Sequence, residues 1–381
     1  MKKLIYLLIL TTFALVSPIQ AQSKRVGTYT FKNGDIYTGE LNGNLILGFK
    51  PHGHGKTVFE NGDIYEGEYI KGKRDGYGVY IFPDGERYEG QWKDDQQHGV
   101  GILFMANNNR YEGEWHTDYQ HGKGTMYYFN GDKYVGQWDS DKREGKGVYT
   151  FASGAEYNGE WANDLKEGKG TFDWGNGERY DGQWKNGMKH GKGTYQYANG
   201  EKYEGEWEKD LMHGKGIYTT AQGERYEGDY RNGMRTGKCK ATYENGDKYQ
   251  GEILNGEPHG EGTYTWENGA MYKGDWKNDK RHGNGKYVWA NGDEYEGEWK
   301  DDLMHGYGVL QYKTGMKYKG DFAFGLKNGE GVQIDENGIT YKGGFKEGNK
   351  HGDFIETDAE GNEVRRGSYK DGRLVNETKK Q

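Results

Sequence analysis

Residues 78–92 read GVYIFPDGERYEGQW, and this stretch decides the fold. Two runs of alternating residues flank Pro83-Asp84-Gly85, which is typical of a β-hairpin. Proline fixes the backbone angle that the first corner of a type I turn requires, and Gly85 can adopt a positive φ. The sequence therefore predicts a three-residue loop that closes with a glycine bulge.

The length of this loop decides which side chains share a face of the hairpin. With three residues in the loop, Tyr80 pairs with Tyr88, and the aromatic residues of both strands lie on one face. A two-residue loop would place the two tyrosines on opposite faces. The other face is expected to be mixed and mostly in contact with water, since it carries Val79, Ile81, Glu89 and Gln91.

This unit recurs along nearly the whole chain. The tyrosine equivalent to Tyr88 returns every 23 residues from Tyr65 to Tyr341, and a glycine always follows two residues later. Tyr37 precedes Tyr65 by 28 residues, which indicates a five-residue insertion. A tryptophan usually follows four residues after the tyrosine. The remaining tryptophans of the chain share a second fixed position in the repeat, and they are Trp174, Trp266 and Trp289.

The repeat predicts an all-β protein, namely an elongated single-sheet solenoid of about 14 stacked antiparallel β-hairpins, each with its loops. The array is expected to span residues 22–369, with an irregular insertion at 42–52 and atypical C-terminal units at 328–369. Residues 370–381 are expected to form a polar tail.

The first residues have the pattern of a secretory signal peptide. Lys2 and Lys3 precede an apolar run over residues 4–16, and Ala21 offers a small residue for cleavage. We therefore expect residues 1–21 to be a signal peptide that is cleaved after Ala21. This predicts a periplasmic or secreted protein.

Charge and cysteine content narrow the classes of partner and site. The formal net charge is −8, and the charges are mixed along the chain. A nucleic-acid partner is not expected, because such proteins carry a basic patch or stripe. Cys239 is the only cysteine, so no intrachain disulfide or cysteine metal site can form, and a buried thiol is predicted.

The repeated polar residues do not form a catalytic or metal-binding set. Most of the 11 histidines occupy one repeat position, for example His98 and His121. Equivalent atoms of neighbouring hairpins lie about 10 Å apart, whereas a metal needs its ligand atoms at about 2 Å. Glu114 and Glu160 are likewise equivalent, whereas catalysis needs groups in different environments. We expect no enzyme activity, no catalytic residue, no cofactor and no metal.

The strings YEGEW at 203–207 and HGKG at 213–216 resemble the MORN repeat. The resemblance covers about residues 27–369 and, with the leader, suggests an exported bacterial member. It implies a row of antiparallel hairpins, often with a groove along one face, and a scaffolding or tethering role, sometimes at membranes. The pattern departs at Cys239, which replaces the second glycine of its unit, and at Ile253, which replaces the tryptophan. A local bend is expected there.

The preferred hypothesis is a non-enzymatic scaffold or binding module of the cell envelope that displays a long aromatic-lined β surface. A protein or polysaccharide partner is expected, and the resemblance leaves membrane association and homodimerisation open. The alternatives are a glycan-binding protein and a membrane-associated tethering protein. The candidate binding residues, expected to be mainly structural, are Tyr88, Trp92, Tyr111, Trp115, Tyr134, Trp138, Tyr157, Trp161, Tyr180, Trp184, Tyr203 and Trp207.

Overall fold

The computed structural model describes residues 23–379, which form 31 strands. Among these residues no helix is long and apolar enough to cross a bilayer. The predicted signal peptide, residues 1–21, lies outside the described residues. The described chain divides into two compact units.

The first unit contains residues 23–152 and 161–164. From β1 to β11, consecutive strands pair antiparallel. The strands are β1 (Ser23–Thr30), β2 (Ile36–Asn44), β3 (Gly48–Val58), β4 (Ile64–Ile70), β5 (Lys73–Ile81), β6 (Arg87–Lys93), β7 (Gln96–Phe104), β8 (Arg110–His116), β9 (Tyr119–Tyr127), β10 (Lys133–Asp139) and β11 (Lys142–Thr150).

The second unit contains residues 153–160 and 165–379, and the chain passes between the units within β12 (Glu156–Ala162). From β13 onward each strand again pairs antiparallel with the next. The strands are β13 (Leu165–Asp173), β14 (Arg179–Lys185), β15 (Met188–Gln196), β16 (Lys202–Glu208), β17 (Leu211–Thr219), β18 (Arg225–Arg231), β19 (Met234–Thr242), β20 (Lys248–Leu254), β21 (Glu257–Thr265), β22 (Met271–Lys277), β23 (Lys280–Val288), β24 (Glu294–Lys300), β25 (Leu303–Gln311), β26 (Lys317–Ala323), β27 (Leu326–Ile334), β28 (Thr340–Lys346), β29 (Asn349–Thr357), β30 (Glu363–Lys370) and β31 (Arg373–Lys379).

The prediction of an all-β array of antiparallel hairpins is confirmed in each unit, as is the three-residue loop. Between β5 and β6, the Phe82 N–H donates to the Glu86 carbonyl at 2.9 Å, and the Gly85 N–H donates to the Phe82 carbonyl at 3.1 Å. Gly85 has a φ of 91°. Tyr80 pairs with Tyr88, so the aromatic residues share one face as predicted.

A different connection joins the strands at the opposite edge of the sheet. Between β6 and β7 the two loop residues, Asp94 and Asp95, have φ values of 51° and 74°, as a type I′ turn requires. A bulge follows, in which Gly99 has a φ of 64° and the Val100 N–H donates to Gln91 Oε1 at 2.9 Å. Glu114 and Glu160 stand at the Gln91 position of their repeats, where the equivalent Glu298 accepts from the Tyr307 N–H at 3.2 Å.

The irregular regions remain part of the sheet. The insertion at 42–52 lengthens the β2–β3 hairpin, whose last pair is Asn44 with Gly48. Near the C-terminus, within residues 370–381, β31 pairs with β30. Cys239 pairs with Gly228 in the register of the other units, and its thiol is buried as predicted.

Candidate functional site

Most repeat tyrosines lie over a pair of glycines; beside Tyr226 and Tyr341 one glycine of the pair is replaced, by Cys239 and Phe354 respectively. Tyr88 is fully buried, and its hydroxyl donates to the carbonyl of Gln91 at 3.0 Å. A Cβ atom on Gly90 or on Gly101 would overlap this hydroxyl. The repeated glycines are therefore required by the ring above them. Burial raises the pKa of Tyr88 well above its usual range, so the hydroxyl remains a hydrogen-bond donor at neutral pH.

The tryptophans fill the spaces between successive tyrosines. The Tyr88 ring contacts Trp92 edge-on at 5.3 Å and Trp115 edge-on at 5.2 Å, measured between ring centroids. The Trp115 indole donates from Nε1 to the Gly101 carbonyl at 3.3 Å. Such aromatic pairs contribute about 0.5–1.5 kcal/mol each beyond the area that they bury. This row is the core of the hairpin array.

The candidate residues from the sequence all belong to this core. Their exposed fractions are between 0% and 6%, so a partner at this face would first meet the residues that cover these rings. The core of the first unit contains Tyr88, Trp92, Tyr111, Trp115, Tyr134, Trp138 and Trp161, and that of the second unit contains Tyr157, Tyr180, Trp184, Tyr203 and Trp207.

A second aromatic row lies beside the three-residue loops and is only half-buried. Phe82 packs on Tyr80 at 4.7 Å between ring centroids, and Trp174 packs on Phe172 at 4.4 Å. Sequence reasoning noted the fixed position of Trp174, Trp266 and Trp289 but did not assign it to the site. In the first unit the row comprises Phe59, Phe82, Tyr128 and Phe151, with Met105 as a non-aromatic member, and in the second unit it comprises Trp174, Tyr197, Tyr243, Trp266, Trp289 and Tyr312.

A third row, which the sequence analysis missed, covers the tryptophans with cations. The Arg74 Cζ atom lies 4.2 Å from the Trp92 ring centroid, a cation–π contact. Arg74 Nη2 also donates to the Asp95 carbonyl at 2.7 Å, and its Nε lies 3.4 Å from Asp95 Oδ1. The sequence feature that could have revealed this row is a basic residue 18 positions before the repeat tryptophan, as Arg74 is before Trp92.

The same arrangement recurs in other hairpins. Arg143 lies 4.3 Å from the Trp161 centroid and bonds Asp164 Oδ1 at 3.0 Å. In the second unit, Arg281 lies 4.4 Å from the Trp299 centroid and bonds Asp302 Oδ1 at 3.0 Å. We call the place above the indole and beside the turn aspartate, which Arg74, Arg143 and Arg281 fill, the guanidinium position.

Lysine fills this position in two hairpins of the second unit. Lys166 Nζ lies 4.0 Å from the Trp184 centroid, and Lys189 Nζ lies 4.5 Å from that of Trp207. Gly187 stands where the turn aspartate would bond Lys166. Burial lowers the pKa of Lys166 to about 8, assisted by Lys189 and opposed by Asp210.

Two adjacent hairpins of the first unit have glutamine at this position, namely Gln97 and Gln120. A groove of about 550 Å³ lies here, over Trp115 and Trp138. None of its lining residues, all of them in the described part of the chain, is lysine or arginine. The other lining residues are Phe82, Glu86, Leu103, Met105, Asp118, Met126, Tyr128, Asp141 and Asp164.

The histidine row has a structural explanation. His52 Nδ1 accepts from the Lys71 N–H at 3.5 Å, and His351 Nδ1 accepts from the Asp371 N–H at 3.3 Å. Glu167, which replaces this histidine, accepts in the same way from a turn N–H at 2.8 Å. Within residues 23–379, no group of three or more His, Cys, Asp or Glu residues is placed to hold a metal ion.

Comparisons with solved structures show only distant similarity. The TCP domain of SAS-4 (dCPAP) of Drosophila melanogaster, in complex with a proline-rich motif of Ana2 (dSTIL), is 14% identical, with 46% of this chain and 96% of that chain covered and a TM-score of 0.24. The TCP10 domain of Danio rerio CPAP, in complex with a STIL peptide, is 11% identical, with 80% of this chain and 96% of that chain covered and a TM-score of 0.17. A virginiamycin B lyase from Staphylococcus aureus is 10% identical, with 82% of this chain and 96% of that chain covered and a TM-score of 0.13. These scores support no inference about this chain.

A search of curated protein sequences found no match. The family model described as MORN repeat, by contrast, matches most of the chain. The matched residues are 26–36, 50–64 and, in consecutive blocks, 65–340. The repeat tyrosines from Tyr65 to Tyr318, with their glycines and tryptophans, lie within these blocks, and the chain belongs to the MORN repeat family.

Proposed function

We propose that this protein is a non-enzymatic scaffold or binding module of the cell envelope, and that its aromatic face binds a protein partner. The observation that carries the proposal is the groove over Trp115 and Trp138. Neighbouring hairpins cover the same place with their own arginines. The assignment to the envelope rests on the predicted signal peptide at residues 1–21.

The lining of the groove supports a protein partner. Leu103, Met105 and Met126 give it an apolar, adaptable surface, and methionine is common at surfaces that accept varied protein segments. Asp118 and Asp141 add polar groups that can fix the orientation of a ligand. This combination matches the general anatomy of a recognition groove.

Glycan binding is a second candidate, favoured by one observation. Trp266 and Trp289 are half-buried, occupy equivalent places in adjacent hairpins, and contact Tyr287 on either side at 5.2 and 4.7 Å. They offer two aromatic surfaces in a row, to which sugar rings could stack.

Membrane tethering is a third candidate, favoured by the lengthened β2–β3 hairpin. At its tip, Leu45, Ile46 and Leu47 are 95%, 77% and 80% exposed. Asn44 Oδ1 accepts from the Ile46 and Leu47 N–H groups at 3.0 and 2.8 Å, which orders this apolar turn. An ordered, exposed apolar tip suits contact with a lipid surface or an apolar pocket.

Selection of displayed random peptides on the immobilised full chain tests the proposal. We expect enrichment of peptides that bind the wild-type chain and lose affinity when Met105 and Met126 are both replaced by Glu. Retention on cell-wall polysaccharide or on liposomes, without any peptide enrichment, would overturn the proposal in favour of the second or third candidate. Cell fractionation tests the envelope assignment, and a purely cytoplasmic protein would contradict it.

A further inference from the structure

We propose that the groove over Trp115 and Trp138 is a tandem docking site for two basic side chains, preferably arginines, of one extended peptide segment of a partner protein. The inference rests on the proposed function and specifies its partner.

The fold builds the same guanidinium position repeatedly. Arg74, Arg143 and Arg281 place Cζ between 4.2 and 4.4 Å from an indole centroid. Each also bonds the backbone carbonyl of the turn aspartate, at 2.7, 2.9 and 3.0 Å respectively. The indole and the turn therefore form a recognition site for a guanidinium, which these hairpins fill with their own side chain.

At Gln97 and Gln120 the indole and the turn aspartate are retained, and an uncharged glutamine replaces the cation. Asp118 Oδ1 accepts from the Gln97 N–H at 2.8 Å, and Asp141 Oδ1 accepts from the Gln120 N–H at 2.8 Å. Asp95 accepts from the Arg74 N–H at the same distance. The carboxylates are thus held in the same way, whether or not a guanidinium is present.

The groove has the space and the charge to receive such groups. Its volume is about 550 Å³. Asp118 and Asp141 make no ion pair with any of the described residues, whereas Asp95 pairs with Arg74. Gln120 and Trp138 are each only 5% exposed, so a ligand reaches this indole by displacing the glutamine side chain. Burial, together with the neighbouring Asp84, raises the pKa of Glu86.

The spacing of the two positions specifies the backbone of the ligand. Equivalent atoms of adjacent hairpins lie about 10 Å apart. In a polyproline II segment, residues i and i+3 point to the same side and are about 9.3 Å apart. A β-strand places i and i+3 on opposite sides, so it fits less well. The preferred ligand is therefore Arg-x-x-Arg, with proline between the arginines.

A direct test measures the binding of a fluorescent Ala-Pro-Arg-Pro-Pro-Arg-Pro-Ala peptide to the full chain by anisotropy. The double variant Gln97→Arg/Gln120→Arg should fill both positions with its own guanidiniums. We expect it to lose roughly tenfold or more in affinity. The matched control is Met212→Arg/Met304→Arg, which adds the same charge at equivalent repeat positions outside the groove and should bind like the wild type.

A second variant and a peptide without arginines test the same contacts. Asp118→Asn/Asp141→Asn should also weaken binding, and a peptide with both arginines replaced by alanine should not bind. Circular dichroism and hydrogen exchange establish that each variant is folded. Equal affinity of the wild type and Gln97→Arg/Gln120→Arg would overturn the inference.

The peptide selection described above separates this inference from the proposed function. If selected peptides lack paired basic residues and bind Gln97→Arg/Gln120→Arg as well as the wild type, the tandem site is wrong while protein binding stands. If no peptide is selected at all, both fall. Enrichment of basic residues three apart would support both.

Discussion

The hairpins that carry Arg74 and Arg143 differ from the two between them mainly in one side chain. All four place a tryptophan edge-on against tyrosines and end in a turn whose second residue is aspartate. The outer two fill the guanidinium position themselves, and the inner two, with Gln97 and Gln120, leave a groove. The tyrosines, glycines and tryptophans stabilise the array. The residue at the position of Arg74 can therefore vary between hairpins and change what the surface binds.

The largest effect should come from removing the indoles, which both kinds of hairpin need. Trp115→Ala should lower the local free energy of opening by about 3–5 kcal/mol, because a fully packed aromatic is lost. Trp92→Ala should cost about 1 kcal/mol more, since Arg74 loses its ring partner as well. Native-state hydrogen exchange of the flanking strands measures both values. Equal losses of the free energy of opening in the two variants would contradict a stabilising contact between Arg74 and Trp92.

Exchanging the side chains should reverse the comparison. Arg143→Gln should destabilise its hairpin by about 1–2 kcal/mol, because the contact with Trp161 and the bonds to Asp164 are lost. Gln120→Arg should stabilise its own hairpin by about 1 kcal/mol or less, since the aspartate is already in place. Hydrogen exchange again gives the values. A Gln120→Arg variant that is less stable than the wild type would show that the position is not preformed.

Lysine in the same position should make stability depend on pH. The pKa of Lys166 is about 8 in the folded state, against an ordinary value of 10.5. Between these values the folded chain has lost a proton that the unfolded chain still holds, so raising the pH through this window stabilises the folded state. The Tm of the wild type should therefore rise relative to that of Lys166→Met between pH 8 and 10.5. Parallel Tm curves for the two proteins would contradict the lowered pKa.

The smallest expected effect tests why Lys166 differs from the arginines. Gly187 has a φ of 81°, close to the 66° of Asp141 at the equivalent place, so aspartate can be accommodated there. Gly187→Asp should raise the pKa of Lys166 by adding a carboxylate, and Gly187→Asn is the uncharged control. NMR titration of a 15N-labelled lysine follows the change. An identical pKa in the two variants would mean that the turn carboxylate does not reach the amine.

Much of the fold could be predicted because it depends on local chemistry that the sequence displays. Pro83 and Gly85 predicted the loop, and the loop fixed the pairing of Tyr80 with Tyr88. The reason for the glycines was less visible. Gly90 is required because a Cβ atom there would overlap the hydroxyl of Tyr88, a contact that the spacing of residues along the chain does not display.

The site was harder to predict because its residues lie on three separate rows. Trp115, Asp118 and Gln97 meet only when adjacent hairpins are aligned, and the bulge near Gly99 shifts that alignment. The aromatic residues that stood out in the sequence proved to be core. The informative feature of the sequence was glutamine at positions 97 and 120, where neighbouring repeats have arginine. Its significance becomes clear only when the contact of such an arginine with the indole is known.

The measurement that tests the account most directly is a crystal structure of the full chain with the Arg-Pro-Pro-Arg peptide described above. The account predicts two peptide guanidiniums over Trp115 and Trp138, at the 4.2 to 4.4 Å that Arg74, Arg143 and Arg281 keep from their rings, each bonded to the turn at Asp118 or Asp141. A peptide that binds elsewhere, or whose arginines point into solvent, would contradict it.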